Sequence, residues 1–263
     1  MAENNPSEAE SADMLIERQT KDFVSRDLAG IQGWLHDDNV FVTAAIMHTM
    51  AKHGIAGPNF EIGVYHGKYL SAMHHCAKVY GGQQSPKSYG MDVFWFSKED
   101  EAQDTFKKLF GSTDEIKIEV RNSQESRTDD ILALCGSKPA FISIDGDHSS
   151  WPVLHDHAIC ADALLRGGVV SSDDFCNWAM IGLMDGIARF FLTHNRHRLV
   201  PFAFCLNKLY SCHHEWHERY RQGMIEFCEQ NSDIPCASRY LKLAETGYHN
   251  ANQVLFDAPC MIL

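Results

Sequence analysis

Two short runs hold most of the chemistry this chain can offer. Ile144-Asp145-Gly146-Asp147-His148 sets three ionisable side chains just past an apolar stretch, and Ser171-Ser172-Asp173-Asp174 ends the next one. If the two stretches are neighbouring strands, Asp145, Asp173 and Asp174 share one rim. Crowded carboxylates raise one another's pKa unless a cation or a proton intervenes. Hard oxygen donors favour Mg²⁺, Mn²⁺ or Ca²⁺ over zinc. Those three aspartates are therefore the candidate metal ligands. The competing reading is that Asp173 and Asp174 cap a helix beginning near Asn177.

A second group lies upstream. Glu61-Ile62-Gly63-Val64-Tyr65-His66-Gly67 places two glycines four apart at a strand-to-helix turn, where backbone can approach a ligand closely. The glycine spacing of a dinucleotide fingerprint is absent, which weakens a nicotinamide reading. Glu61, two residues before the first glycine, suits an amine-bearing or cationic ligand better than a pyrophosphate. Gly90-Met91-Asp92 ends the next strand with a carboxylate able to accept from ribose hydroxyls, or to cap a turn. Asn122 and Ser123 are small polar residues that suit an adenine edge or an ordinary loop.

Positioning these groups requires alternating strands and helices. Strands are expected over 59–63, 88–92, 116–120, 140–144 and 168–172, and helices over 68–80, 99–110, 128–135, 151–165 and 180–192. The succession implies an α/β fold, a mostly parallel central sheet flanked by helices, with ligands beyond the carboxyl ends of the strands. Two further helices, near 22–35 and from Asp38 or Asn39 to about Gly54, precede the first strand. The expected organisation is a fraying tail over 1–18, a helical lid or interface segment over 19–55, and a Rossmann-like domain over 56–263.

Taken together, EIGVYHG, GMD, ISIDGDHSSW and LLRGGVVSSDDF resemble a class I S-adenosylmethionine-dependent methyltransferase, most similar to the macrocin- and novobiocin-type sugar O-methyltransferases, over about residues 28–210. The Asn207-Lys208-Leu209-Tyr210 stretch resembles that group as well. The resemblance implies that Glu61, Gly63, Val64, Tyr65 and Gly67 surround the amino-acid end of S-adenosylmethionine, with Asp145 close by. Asp92 would hold the ribose, and Asn122 and Ser123 would lie near the adenine. It implies Mg²⁺ on Asp145, Asp173 and Asp174, and Asp147 or His148 as the base. Of the two, histidine has the ordinary pKa better suited to neutral pH. The acceptor would be a hydroxyl of a small natural product, a sugar or a catechol-like ring, and the protein a homo-oligomer. A metal-independent methyltransferase of the same fold and a non-catalytic nucleoside-binding subunit stay open as alternatives. Residues 81–88, Phe94-Trp95-Phe96 and the stretch after about Arg221 match nothing in the family.

Bulk properties set limits. A net charge of −12 over 263 residues disfavours a nucleic-acid substrate. Nine scattered cysteines without CxxC pairs fit reduced thiols in a cytoplasmic protein. No apolar run approaches the ~20 residues of a membrane span. His213, His214 and His217 read HHEWH rather than HExxH, which favours a surface or subunit-contact cluster over zinc. Trp95, Trp151 and Trp178 are expected chiefly in the core, His74 and His75 are expected to be structural, and the arginines of 189–198 to mark a solvated helix end.

Overall fold

The computed structural model describes residues 14–263. In chain order the elements begin with α1 (Arg18–Asp22), which runs into a wide turn over Phe23–Asp27 and a tight one over Leu28–Gly30. Next come α2 (Asp37–Lys52), β1 (Asn59–Ile62), α3 (Lys68–Tyr80), β2 (Ser88–Asp92), α4 (Glu99–Phe110), β3 (Ile116–Val120) and α5 (Thr128–Cys135). They are followed by β4 (Phe141–Ile144), α6 (Ser150–Ala163), β5 (Val169–Ser172), α7 (Ile181–Arg189), β6 (Leu199–Cys205) and β7 (Lys208–His213). The chain closes with α8 (His217–Gln230), α9 (Pro235–Thr246), α10 (Tyr248–Ala251), β8 (Asn252–Leu255) and β9 (Ala258–Ile262).

The strands form one sheet in the order β3-β2-β1-β4-β5-β7-β6-β9-β8. The first five run parallel, while β7 is antiparallel to both β5 and β6. The strand order reverses between β1 and β4, and that switch point is where such sheets open a crevice at their carboxyl ends. Both faces are covered, so the strands read as apolar runs. Phe141 and Val169 pack with α2 and α3, whereas Ile142 and Val170 pack with α5 and α6. The expected mostly parallel, helix-flanked α/β architecture is thus the observed one.

Three expectations change. The first 13 residues of the tail expected over 1–18 lie outside the described residues, but Met14 and Ile16 are buried, and Asn231 holds both the Ile16 N–H (2.8 Å) and the Met14 carbonyl (2.6 Å). The first N-terminal helix starts at Arg18 and stops at Gly30, before Gly33 at φ +134°. The second, α2, is buried on nearly all sides between α3 and α8 and belongs to the core. Only the linking stretch 31–36 lies over the β1–α3 turn. Among the described residues no helix is long and apolar enough to cross a membrane.

Candidate active site at the carboxyl end of the sheet

Register brings the two acidic runs together. Ile144 pairs with Ser172 across β4 and β5, so Asp145 and Asp173 follow side by side, and the Asp173 N–H donates to the Ile144 carbonyl (3.0 Å). On the other flank the Asp145 N–H donates to the Ile62 carbonyl (2.8 Å), which sets the β1–α3 turn against β4. Gly63 lies in that turn at φ +87°, and a Cβ there would sit 1.8 Å from the Asp145 carbonyl oxygen. Gly67, at φ +77°, is closed against the ring of Phe106. Tyr65, Phe94 and Asp174 also hold positive φ (52°, 53° and 53°). Non-glycine residues adopt this conformation rarely and at a cost. Here they stand after β1, β2 and β5, around one crevice.

Residues expected on the cofactor side lie around this crevice. Both oxygens of Asp92 accept backbone N–H groups, from Tyr65 (2.7 Å) and Phe94 (2.6 Å), so this carboxylate fixes the turn. Tyr65 is held from above: Gln32 donates to its hydroxyl (2.8 Å) and Trp34 stacks on its ring at 6.0 Å. Lys68 reaches back to the Gly33 carbonyl (3.2 Å). Val64 is buried against Gly90, where an added Cβ would lie 2.4 Å from its methyl. Glu61 is 1% exposed, and its Oε2 has no hydrogen-bond partner. Burial, reinforced by the charge of Asp145, pushes its pKa well above the carboxylate range, against the opposing pull of Lys208 and Ser143. Asn122 caps a short turn by accepting from Gln124 N–H (3.0 Å), with Ser123 beside it.

Of the three expected metal ligands, Asp145 and Asp174 converge with His148, their donor atoms all within 4.8 Å of one another. His148 Nε2 lies 3.6 Å from Asp145 and 3.4 Å from Asp174. The facing Asp145 raises the His148 pKa despite burial, with help from Asp174 and Asp173. Burial and the neighbouring Asp173 push Asp145 up to about 7. Asp173 itself is turned inward. Lys208 pairs with it at 2.6 Å, Asn207 donates to it (2.7 Å), and the Asp174 N–H donates as well (2.9 Å). Asp147 is exposed, accepts the Ser149 N–H (2.6 Å) and is not among the converging groups. Asp174 also accepts from Asn177 (3.1 Å), so its capping role and its place in the cluster coexist.

Sequence reasoning assigned no role to the polar groups beneath the site. Lys208 is 1% exposed and sits 4.0 Å over the Tyr69 ring. Tyr69 contacts Thr43 (2.9 Å), Tyr210 donates to Asn39 (3.2 Å), and Asn39 donates to Asn207 (3.0 Å). This network ties the first turns of α2 to β7 and Asp173. The available signal was a lone lysine heading an otherwise buried strand. His213 is buried and accepts from Gly167, and His217 sits between the carbonyls of Pro201 and Pro259, so these two are structural rather than a surface cluster. Trp95, Trp151 and Trp178 are not core residues; with Trp34, Phe96 and Ile181 they are 68–90% exposed. His74 and His75 pack against Ser88, Thr20 and Phe23. Arg189 and Arg196 pair with Asp185 and Asp162, which neutralises that helix end.

Comparison with known proteins places this arrangement. A family described as a methyltransferase domain matches residues 60–175, from β1 through the loop after β5. The solved structure of the O-methyltransferase NovP is 12% identical with a TM-score of 0.56, covering 66% of this chain and 78% of that one. Apo CalS11, a TDP-rhamnose 3′-O-methyltransferase of calicheamicin biosynthesis, is 16% identical at 0.52, covering 73% and 85%. MycE, from the mycinamycin biosynthetic pathway and solved with Mg, S-adenosylhomocysteine and mycinamycin VI, is 14% identical at 0.50, covering 73% and 54%. No curated protein sequence is significantly similar. The sheet and its switch-point crevice define a class I, Rossmann-like methyltransferase fold. Residues 60–175 thus match a methyltransferase domain, within a chain that has the fold of these O-methyltransferase structures.

Proposed function

We propose that this enzyme transfers the methyl group of S-adenosylmethionine to a hydroxyl of a small natural product, assisted by a divalent cation. One observation carries the reading: Asp145, Asp174 and His148 converge beside the tight glycine turn after β1. The donor fits the turn. A buried carboxylate with an unpartnered oxygen costs free energy, and an ammonium group near Glu61 would relieve that cost. Gly63 and Gly67 let the turn fold tightly onto Asp145 and Phe106, which sets Glu61 and the turn beside the crevice.

Mg²⁺ fits the two oxygen donors, with Asp145 and Asp174 as its ligands and Asp173 held behind them by Lys208. When bound, such an ion lowers the pKa of a hydroxyl and fixes its position. His148 is the base we assign, because it faces the two aspartates while Asp147 is engaged by its own turn. A cation held by Asp145 and Asp174 would take over compensation of their charge, and His148 would then be available to accept a proton. Alignment of oxygen, methyl carbon and sulfur contributes the remaining acceleration. The exposed tryptophans around the crevice suit an acceptor with an apolar body and one or two hydroxyls. MycE, solved with Mg and mycinamycin VI, and CalS11, a TDP-rhamnose 3′-O-methyltransferase, supply the analogy. A cytoplasmic homo-oligomer that acts on no nucleic acid completes the reading, in keeping with the −12 charge.

The test is calorimetric titration of metal-stripped protein with S-adenosylmethionine, followed by Mg²⁺ and a vicinal-diol acceptor screen read by mass. Donor binding weakened at least ~10-fold in Glu61→Ala, and transfer abolished by chelator and restored by Mg²⁺, is the expected result. Transfer unaffected by chelator would remove the cation from the mechanism. Transfer to nitrogen or carbon alone would remove the hydroxyl acceptor.

A further inference from the structure

A second cluster of ligating side chains lies away from the crevice. Asp38, in the first turn of α2, Cys205, at the end of β6, and Cys236, in the first turn of α9, bring one carboxylate oxygen and two sulfurs within 4.8 Å of one another. Both cysteines are 0% exposed and Asp38 is 7% exposed. Among the described residues it is the only such group that contains sulfur; the other is the Asp145, His148, Asp174 group.

We propose that Asp38, Cys205 and Cys236 form a structural site for a thiophilic divalent cation, zinc by preference. Soft thiolates with one carboxylate select zinc over magnesium. Tetrahedral coordination with sulfur at about 2.3 Å puts the sulfurs about 3.8 Å apart. Donor atoms that all lie within 4.8 Å of one another are compatible with that spacing.

The charges close. Arg239 lies 3.5 Å from Asp38, so without metal the group is one carboxylate, one guanidinium and two neutral thiols. Binding M²⁺ releases two thiol protons, and the sum stays at zero: two thiolates and a carboxylate against the cation and the guanidinium. A buried site tolerates that exchange because no net charge is added to the interior. Three ligands come from α2, β6 and α9, elements distant in sequence, so the ion would staple the helix that carries Asn39 to the strand that leads into Asn207 and Lys208. The fourth position goes to a water or a neighbouring group.

The experiment is titration of reduced, metal-stripped, full-length protein with Co²⁺ in weak buffer, followed by near-ultraviolet absorption, with Zn²⁺ as competitor. Thiolate-to-cobalt charge transfer cannot arise at Asp145, Asp174 and His148, which offer no sulfur, so the readout is independent of the active-site cation. Expected are a charge-transfer band saturating at one equivalent, release of two protons, displacement by Zn²⁺, and a rise in Tm. Cys236→Ser should lose about half the band, and the Cys205→Ser/Cys236→Ser double variant all of it. No band in the wild-type protein would overturn the proposal. So would a band that survives in the double variant, or a Cys205–Cys236 disulfide found by peptide mapping of protein purified without reductant.

Discussion

Two buried side chains decide how much charge the site can carry. Lys208 compensates Asp173 from within the core, and burial alone would drive its ammonium towards neutrality; Asp173, Tyr69 and Asp145 overcome that and raise its pKa. Removing one partner of a buried pair leaves the other charge uncompensated, which costs about 3–5 kcal/mol. Lys208→Met is therefore expected to lower stability by that order in urea denaturation and to weaken Mg²⁺ binding, because Asp173 then takes a proton or turns outward. Asp156 gives a pH signature of its own. It is 0% exposed on α6, accepts from Gln124 (2.9 Å), and has no partner for Oδ2. Burial pushes its pKa from 3.8 to about 7, with Asp147 adding to the rise and Ser123, His155 and Gln124 opposing it. The folded state thus holds this proton where the unfolded chain has lost it. The contribution is full below about pH 4 and is lost as pH rises to about 7, a loss of roughly 4 kcal/mol at most. Asp156→Asn keeps the shape of the protonated form. Denaturation midpoints measured at pH 5 and pH 8 should differ less in this variant than in the wild type. An unchanged difference would show that Asp156 is not the titrating group.

Under the proposed function, donor binding rests on the β1–α3 turn. Gly63→Ala puts a methyl group into the Asp145 backbone at a φ that side chains avoid, and no flexible atom can yield. The turn must move, and donor affinity measured by calorimetry should fall at least ~100-fold. Gly54→Ala shares a positive φ but meets nothing within 4 Å and serves as the control, with donor affinity unchanged. This element was legible in the sequence because a tight strand-to-helix turn leaves its mark in glycine spacing. The parallel strands were legible for a similar reason, since burial on both faces makes them apolar runs bounded by turn residues. The rest was hidden by longer-range effects. Which of two adjacent aspartates faces the crevice depends on Lys208, 34 or 35 positions downstream and reached only through the antiparallel pairing of β5 with β7. His148 meets Asp174 by register rather than by spacing. The strands and helices after 199 gave little pattern because polar groups such as Lys208, Ser211 and Arg221 are buried there against partners that only the fold supplies.

Across the whole molecule, residues 14–36 act as a strap. One end is fixed at the end of α8, where Asn231 binds Met14 and Ile16. The middle crosses α3, where Glu17 and Thr20 meet Tyr80 and Phe23 stacks on His75 at 4.0 Å. The other end covers the donor turn through Gln32, Gly33 and Trp34. Anchor and cover should separate experimentally. Asn231→Ala leaves a buried backbone N–H unpaired, which costs about 1–3 kcal/mol; Tm should fall while donor affinity in the folded protein changes less than ~3-fold. The double change Gln32→Ala/Trp34→Ala removes only exposed contacts to Tyr65, so Tm should hold within a degree or two by the usual small effect of surface changes. Donor affinity should nonetheless drop by ~10-fold, because Tyr65 must then be ordered at the expense of binding. If both variants lowered Tm and left donor affinity alone, the segment would be a structural brace only, and the helical lid expected from the sequence would have no part in catalysis. If the double variant alone weakens donor binding, the cover over the crevice is the six-residue link before α2, held in place by an anchor at the end of α8.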